Sequence, residues 1–401
     1  MQGSKTELNI YVALQLLCAL LTATGGGGLV LSLCKYIVFA WSFAYYFKTF
    51  INFQKEPTVI KALTVFYLSL AIYGIIVLVE GKSFEVGRHY VTTVVPANYI
   101  FKTTWSLLPI FVFYHFTKKG QLTKQYMLKW LYVFVAVATI SYFWGFQMAM
   151  ERKQAEVEEA TNNAGYLAVS LIPMFVFLKD RSWKQYLPIA GAILLAIMSM
   201  KRGSILVGFL AVAVYFWYLF KNSKRSTQLK VAIALLIAVF GVFSVYERMA
   251  TTSKYFQERV DETMEGDTNG RDVIHTFFIE YYLDQYTPTE QLIGKGANAT
   301  LDIYGMFAHN DWIELGINQG LLGMLLYLFF WIAFAKTILK RDVPPKVKTA
   351  LAMLFEMYFL KTFFSMSYSD YTLYASMVLG FGIAVACDAG KAKKKYLLDL
   401  E

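Results

Sequence analysis

Residues 204–220 read SILVGFLAVAVYFWYLF, a run dominated by aliphatic and aromatic side chains with no Asp, Glu, Lys, Arg or His. A helix needs roughly 17 to 25 such residues to cross a bilayer core about 30 Å thick, because lipid offers the backbone no hydrogen-bonding partners. A strand of an outer-membrane barrel would alternate in polarity and never give a continuous run of this kind. Working outward, comparable apolar segments cover 8–24, 29–47, 62–80, 98–117, 128–149, 164–178, 186–199, 204–220, 231–246, 312–335, 349–366 and 371–388. Across all 401 residues, 57% are hydrophobic and 16% charged, against about 25% charged in soluble domains. The expectation is an all-α polytopic integral membrane protein of about 12 transmembrane helices, with residues 1–401 forming a single membrane domain.

The net charge of +10 would point to nucleic acid in a soluble chain, so the placement of the cations decides its meaning. With a cytoplasmic amino terminus, 24 of the 38 Lys and Arg residues fall on the inner side, 11 outside and 3 within spans. That asymmetry is the positive-inside rule, and it places both termini in the cytoplasm. A basic inner face meeting anionic lipid accounts for the charge without a nucleic-acid partner. The first span lacks a basic leader and an Ala-x-Ala exit, so it reads as a retained helix rather than a cleaved signal. Cys18, Cys34 and Cys387 lie in or beside apolar stretches with no CxxC spacing and read as small packing residues.

One connection is long. Residues 247–308 form an outer loop carrying 11 acidic residues and five cations, Arg248, Lys254, Arg259, Arg271 and Lys295. Within it, Val245–Met264 and Arg271–Tyr286 read as amphipathic helices. The second sets Ile274, Phe277, Phe278, Tyr281 and Tyr282 at helical spacing, so it lies on the membrane surface or caps a cavity.

Phosphate-cradling loops, HExxH and DxD are absent from the sequence. Glu265 and Asp267 sit in an acidic turn that reads as solvated, so no metal site and no cofactor is expected. Asn298-Ala-Thr300 fits a glycosylation sequon that matters only in a eukaryotic secretory setting. Four features map to the outer face. Lys201-Arg202 interrupt two spans with almost no loop: either both side chains snorkel to headgroups, or they form an anion site at the start of the next helix. Gly270-Arg271 opens the amphipathic helix, and the planar fork of an arginine suits a phosphate. Gly294-Lys-Gly296 is followed by His309-Asn310 at the loop-to-helix junction, where an imidazole either takes a proton, donates to phosphate or simply starts the helix. Gly316, Gly320 and Gly323 then form a small-residue face suited to close helix packing. Asn162-Asn163, at the outer start of a mid-chain span, either caps the helix or binds sugar hydroxyls. Candidate ionisable residues within spans are Lys35, Lys102, Glu356 and Lys361. A transporter would place more of them along several mid-membrane faces.

In this order, over about Asn162 to Gly323, these features resemble the bacterial O-antigen ligase and O-antigen polymerase superfamily. The segment Gly270–Gly323 carries the most specific part of the likeness, while Asn162-Asn163 stands where the family often has Asn-Pro-Asn. The resemblance implies a C-type, metal-independent glycosyltransferase of the bacterial inner membrane with its active site on the periplasmic side. Its donor would be an oligosaccharide on undecaprenyl diphosphate. Its acceptor would be a second lipid-linked repeat unit in a polymerase of O-antigen, capsule or exopolysaccharide, or lipid A core in a ligase of lipopolysaccharide. A lipid-linked glycan flippase is the remoter alternative, and a flippase and a chain-length regulator are the implied partners. By the same resemblance Arg202, Arg271 and His309 would be catalytic, the arginines neutralising the leaving diphosphate and His309 acting as base or donor. Lys201, Gly270, Asn310 and Asn163 would bind substrate.

Overall fold

The computed structural model describes residues 5–23, 28–86, 92–154, 164–178, 183–199, 201–222 and 270–392, with scattered positions between 228 and 251. These residues are almost entirely helical. Among them the exception is a short antiparallel hairpin in which Phe84 faces Val94 and Val86 faces Thr92. Among the described residues, five helices are long and apolar enough to cross a membrane: Gly28–Ile51, Thr58–Glu80, Lys124–Gln147, Arg202–Asn222 and Asp311–Leu339. Large apolar side chains point outward along them, Val79 being 82% exposed and Trp217 69%. Water would penalise such a surface, whereas hydrocarbon does not.

Most expected apolar segments coincide with helices, including Thr6–Ala23, Pro96–Lys118, Trp183–Met198, Pro345–Phe364 and Leu373–Ala392. The segment 164–178 departs from expectation, dividing into Ala164–Val169 and Ile172–Phe175. Pro173 stands at the start of the second piece, where its missing N–H would otherwise have continued the helix. The expected span 231–246 and the expected helix Val245–Met264 lie largely outside the described residues.

The chain divides into two compact units. The first comprises Met1–Met127, Arg271–Lys348 and Tyr358–Glu401. At its centre Pro96–Lys118 packs against Gly28–Ile51, Thr58–Glu80 and Leu373–Ala392. Cys18 and Cys34 are buried in this unit as free thiols. The second comprises Leu128–Gly270 and Thr349–Met357, and its two short helices pack on Trp183–Met198 and Arg202–Asn222.

The helix Asp311–Leu339 is not continuous, for Gly320 takes φ 64° and ψ −162°, a conformation essentially restricted to glycine. The break frees carbonyls one turn earlier, and they find partners in the preceding loop. Ile317 accepts from the Lys295 N–H at 3.1 Å and Asn318 from the Gly296 N–H at 2.9 Å, and Ile317 also accepts from the Tyr286 hydroxyl at 2.9 Å. A Cβ on Gly294 would lie 2.4 Å from the Asn318 backbone. The Gly-Lys-Gly sequence is therefore a backbone-to-backbone contact with the broken helix, and Gly320 both breaks the helix and makes the close approach to the Leu292–Gly294 backbone that a packing glycine allows.

Candidate functional site

The amphipathic helix is present as Arg271–Asp284. Its apolar face packs into the protein: Ile274 and Phe278 join Tyr286, Ala299, Ala308 and Ile317 in one buried cluster, with Phe277, Tyr281 and Tyr282 against it. Each fully buried large side chain contributes about 1.5–3 kcal/mol, so this cluster fixes the loop as a platform. Burial raises the Tyr286 phenol above its ordinary pKa. At the edge of the platform, Thr287 and Glu290 form a capping box, and the Thr287 backbone N–H draws the Glu290 carboxyl below its usual range. Lys295 lies over the Tyr281 and Tyr286 rings at 5.0 and 4.7 Å and 3.8 Å from Glu290. Its ammonium is thus held by aromatic faces and a carboxylate, so this sequence does not behave as a phosphate cradle.

Two buried carboxylates hold the helix that follows, Glu314 to the loop and Asp311 to the segment at Ser367 and Tyr368. Glu314, 1% exposed, accepts from the Ala308 N–H at 2.9 Å, the Thr300 hydroxyl at 2.7 Å and the Asn318 amide at 2.9 Å. Asp311 accepts from the Ser367 N–H at 2.8 Å, the Tyr368 N–H at 3.2 Å and the Tyr327 hydroxyl at 2.6 Å. Neither carboxylate stands out in the sequence as more than a first-turn acid that complements a helix dipole. The available signal was their i, i+3 spacing together with the polar Asn318 and Gln319 one turn on, which would set four polar groups on an inward face.

Immediately before the two carboxylates in sequence comes the junction His309-Asn310. Asn310 is the N-cap, its side-chain oxygen accepting from the Trp312 and Ile313 N–H groups at 2.9 and 3.2 Å. His309, half-buried, takes the left-handed conformation at φ 53°, an uncommon state for a residue other than glycine. His275 donates from Nε2 to the Ala308 carbonyl at 2.9 Å, which anchors the residue before it. Arg271 donates from one guanidinium nitrogen to the Phe364 carbonyl at 2.8 Å. Asn310 donates from Nδ2 to the neighbouring Phe363 carbonyl at 3.1 Å, and Trp312 from Nε1 to Thr362 at 2.9 Å. Arg271 and Asn310 are therefore brought together on the same helix end although 39 residues separate them. Gly270, at φ 71°, turns the chain into the Arg271 helix.

The other expected site residues belong to the second unit. Arg202 is the first residue of the helix Arg202–Asn222, and Lys201 precedes it, both half-buried. Gly165 approaches the serines that flank the Lys-Arg motif: a Cβ on it would lie 2.2 Å from Ser199 Oγ and 2.6 Å from Ser204 Oγ. Only glycine lets these segments approach so closely. Asn163 itself lies outside the described residues, as do Glu265 and Asp267.

One cavity of about 50 Å³ borders the junction, lined among others by Lys102, Asn298, Phe307 and Glu314. Asn298 heads the short helix Ala299–Tyr304 at φ 63°, yet its side chain caps nothing. It is 2% exposed, which rules it out as a glycosylation acceptor, and its Nδ2 has no hydrogen-bond partner. A buried donor left in that state costs about 1–3 kcal/mol. Compared with protein-family models and with curated proteins, the chain matches none.

Proposed function

We propose that the chain is a metal-independent glycosyltransferase of a bacterial inner membrane that polymerises undecaprenyl-diphosphate-linked repeat units of O-antigen, capsule or exopolysaccharide at the periplasmic face. The supporting observation is the pairing of Arg271 and Asn310 on the Phe364 and Phe363 carbonyls beside His309. A guanidinium carries five N–H donors, and Arg271 commits one nitrogen to this anchor. The rest of its fork is left for a diphosphate, held in place by a rigid platform. Arg202 enters the proposal from sequence alone.

In the proposed reaction an acceptor hydroxyl oxygen forms the new bond to C1 of the donor sugar as the bond from C1 to the diphosphate oxygen breaks. The electron pair leaves on the diphosphate, and positive charge fixed beforehand at that oxygen lowers the barrier without a metal. His309 either takes the hydroxyl proton or donates to the departing diphosphate. A base gives the chemical step an acid limb in its pH profile, whereas a hydrogen-bond donor tolerates Gln better than Ala.

With purified protein and a synthetic lipid-linked repeat, Arg271→Lys and Arg202→Lys should each lower transfer on the order of 100-fold, because lysine keeps the charge and loses the fork. His309→Ala should abolish transfer while donor binding persists, and EDTA should leave the wild-type rate unchanged. Full-length polysaccharide from both lysine variants would overturn the diphosphate assignment, and product attached to lipid A core would identify a ligase. Topology has its own check: a cysteine placed at Asp267 should react with an impermeant reagent from outside the cell, and reaction only after permeabilisation would invert the proposed orientation.

A further inference from the structure

The cavity beside the junction has an unusual balance of hydrogen-bonding groups. Asn298 Nδ2 is a buried donor with no partner. The Lys102 ammonium lies 4.6 Å over the Phe307 ring, and among the described residues no carboxylate or carbonyl accepts from it. Two N–H donors thus await an acceptor. The carboxylate on the wall, Glu314, already accepts three hydrogen bonds, which leaves one of its roughly four lone-pair sites. Val94, Phe307 and Met366 add apolar wall.

We propose that this cavity receives the acetamido group of an N-acetylated sugar in the glycan substrate, an assignment that rests on the transferase reading above. An acetamido carbonyl supplies the acceptor for Asn298 and Lys102, its N–H matches the remaining lone pair of Glu314, and its methyl meets the apolar wall. A ligand carboxylate or phosphate would set a second negative charge against Glu314 in a site with little water to screen it. The space of about 50 Å³ admits a ring substituent or a few waters, not a pyranose. The free donors lie on two separate elements, the helix Pro96–Lys118 and the loop before Ala299–Tyr304. A ligand bridging them would tie the platform to the helical core of the same unit.

The test uses the full chain in detergent with di-N-acetylchitobiose and cellobiose, which differ only in their acetamido groups, and follows binding by ligand-observed NMR. The acetylated disaccharide should bind about tenfold more tightly, the worth of one well-made hydrogen bond, with its methyl protons receiving the most saturation. Asn298→Gly keeps the left-handed backbone accessible and removes the carboxamide, so the preference should fall close to one. Lys102→Met, which retains an unbranched stem, should lower it as well and covers the case in which the glycine variant fails to fold. Equal binding of the two sugars by wild type, or an undiminished preference in the folded variants, would overturn the proposal and leave a merely hydrated cavity. The two readings fail separately: polymer synthesis without acetamido preference removes the cavity assignment alone, and acetamido preference in a chain that transfers no glycan removes the transferase reading alone.

Discussion

Gly320→Ala is expected to deplete the folded protein, with the surviving fraction melting well below wild type in detergent. At φ 64° and ψ −162° an alanine is strained by about 1–3 kcal/mol before any contact is considered. Its Cβ would then lie 2.5 Å from the Leu292 carbonyl carbon and 2.6 Å from the Gly294 nitrogen, which are backbone atoms with nowhere to go. Relieving that overlap means lifting the Leu292–Gly296 strip off the helix, with loss of the bonds from Lys295 and Gly296 to Ile317 and Asn318. A loss of more than about 3 kcal/mol is the expected sum. Gly316→Ala is the control: its nearest neighbour is the flexible Met324 side chain at 3.4 Å, so its melting temperature should stay near that of wild type. Similar behaviour of the two variants would refute the account of the break.

Glu314→Ala should be nearly as damaging for a different reason. It strands the Ala308 N–H, the Thr300 hydroxyl and the Asn318 amide at once, and buried donors without partners cost about 1–3 kcal/mol each. The variant should melt earlier and expose the Asn298–Asn310 segment to protease before the remainder of the chain. Asp302→Ala provides the comparison, since its 2.5 Å ion pair with Lys82 is half exposed on both sides and exposed pairs are worth about 0–1 kcal/mol. If removing Asp302 destabilised the protein as much as removing Glu314, the locking role of Glu314 would fall.

The helical segments were legible because each is longer than a strand and apolar over most of its circumference, and the amphipathic helix because its aromatic spacing follows 3.6 residues. That its aromatic face turns inward, onto Tyr286 and Ile317, was open between two readings, because period alone does not say what a face meets. The junction was legible at His309 and Asn310, where a loop ends in polar residues ahead of an apolar run. Asp311 and Glu314 were not, since their partners come from 56 and 57 residues downstream of Asp311 at Ser367 and Tyr368 and from the loop at Thr300 and Ala308. Non-local hydrogen bonding leaves no periodic trace. The break at Gly320 was hidden for a related reason: the glycine reads as a packing residue until the carbonyls it releases are matched with the amides of Lys295 and Gly296.

That break also divides the helix by polarity. Before Gly320 the helix is inward-facing and polar, with Asp311, Glu314, Asn318 and Gln319 all buried; after it Leu321, Leu325, Leu328 and Ile332 are exposed. The outward apolar stretch therefore runs from Leu321 to Ala335, 15 residues or about 22 Å of helix, ahead of the exposed Lys336. On the proposed reading His309, Asn310 and Arg271, all on the polar side of the break, stand outside the hydrocarbon.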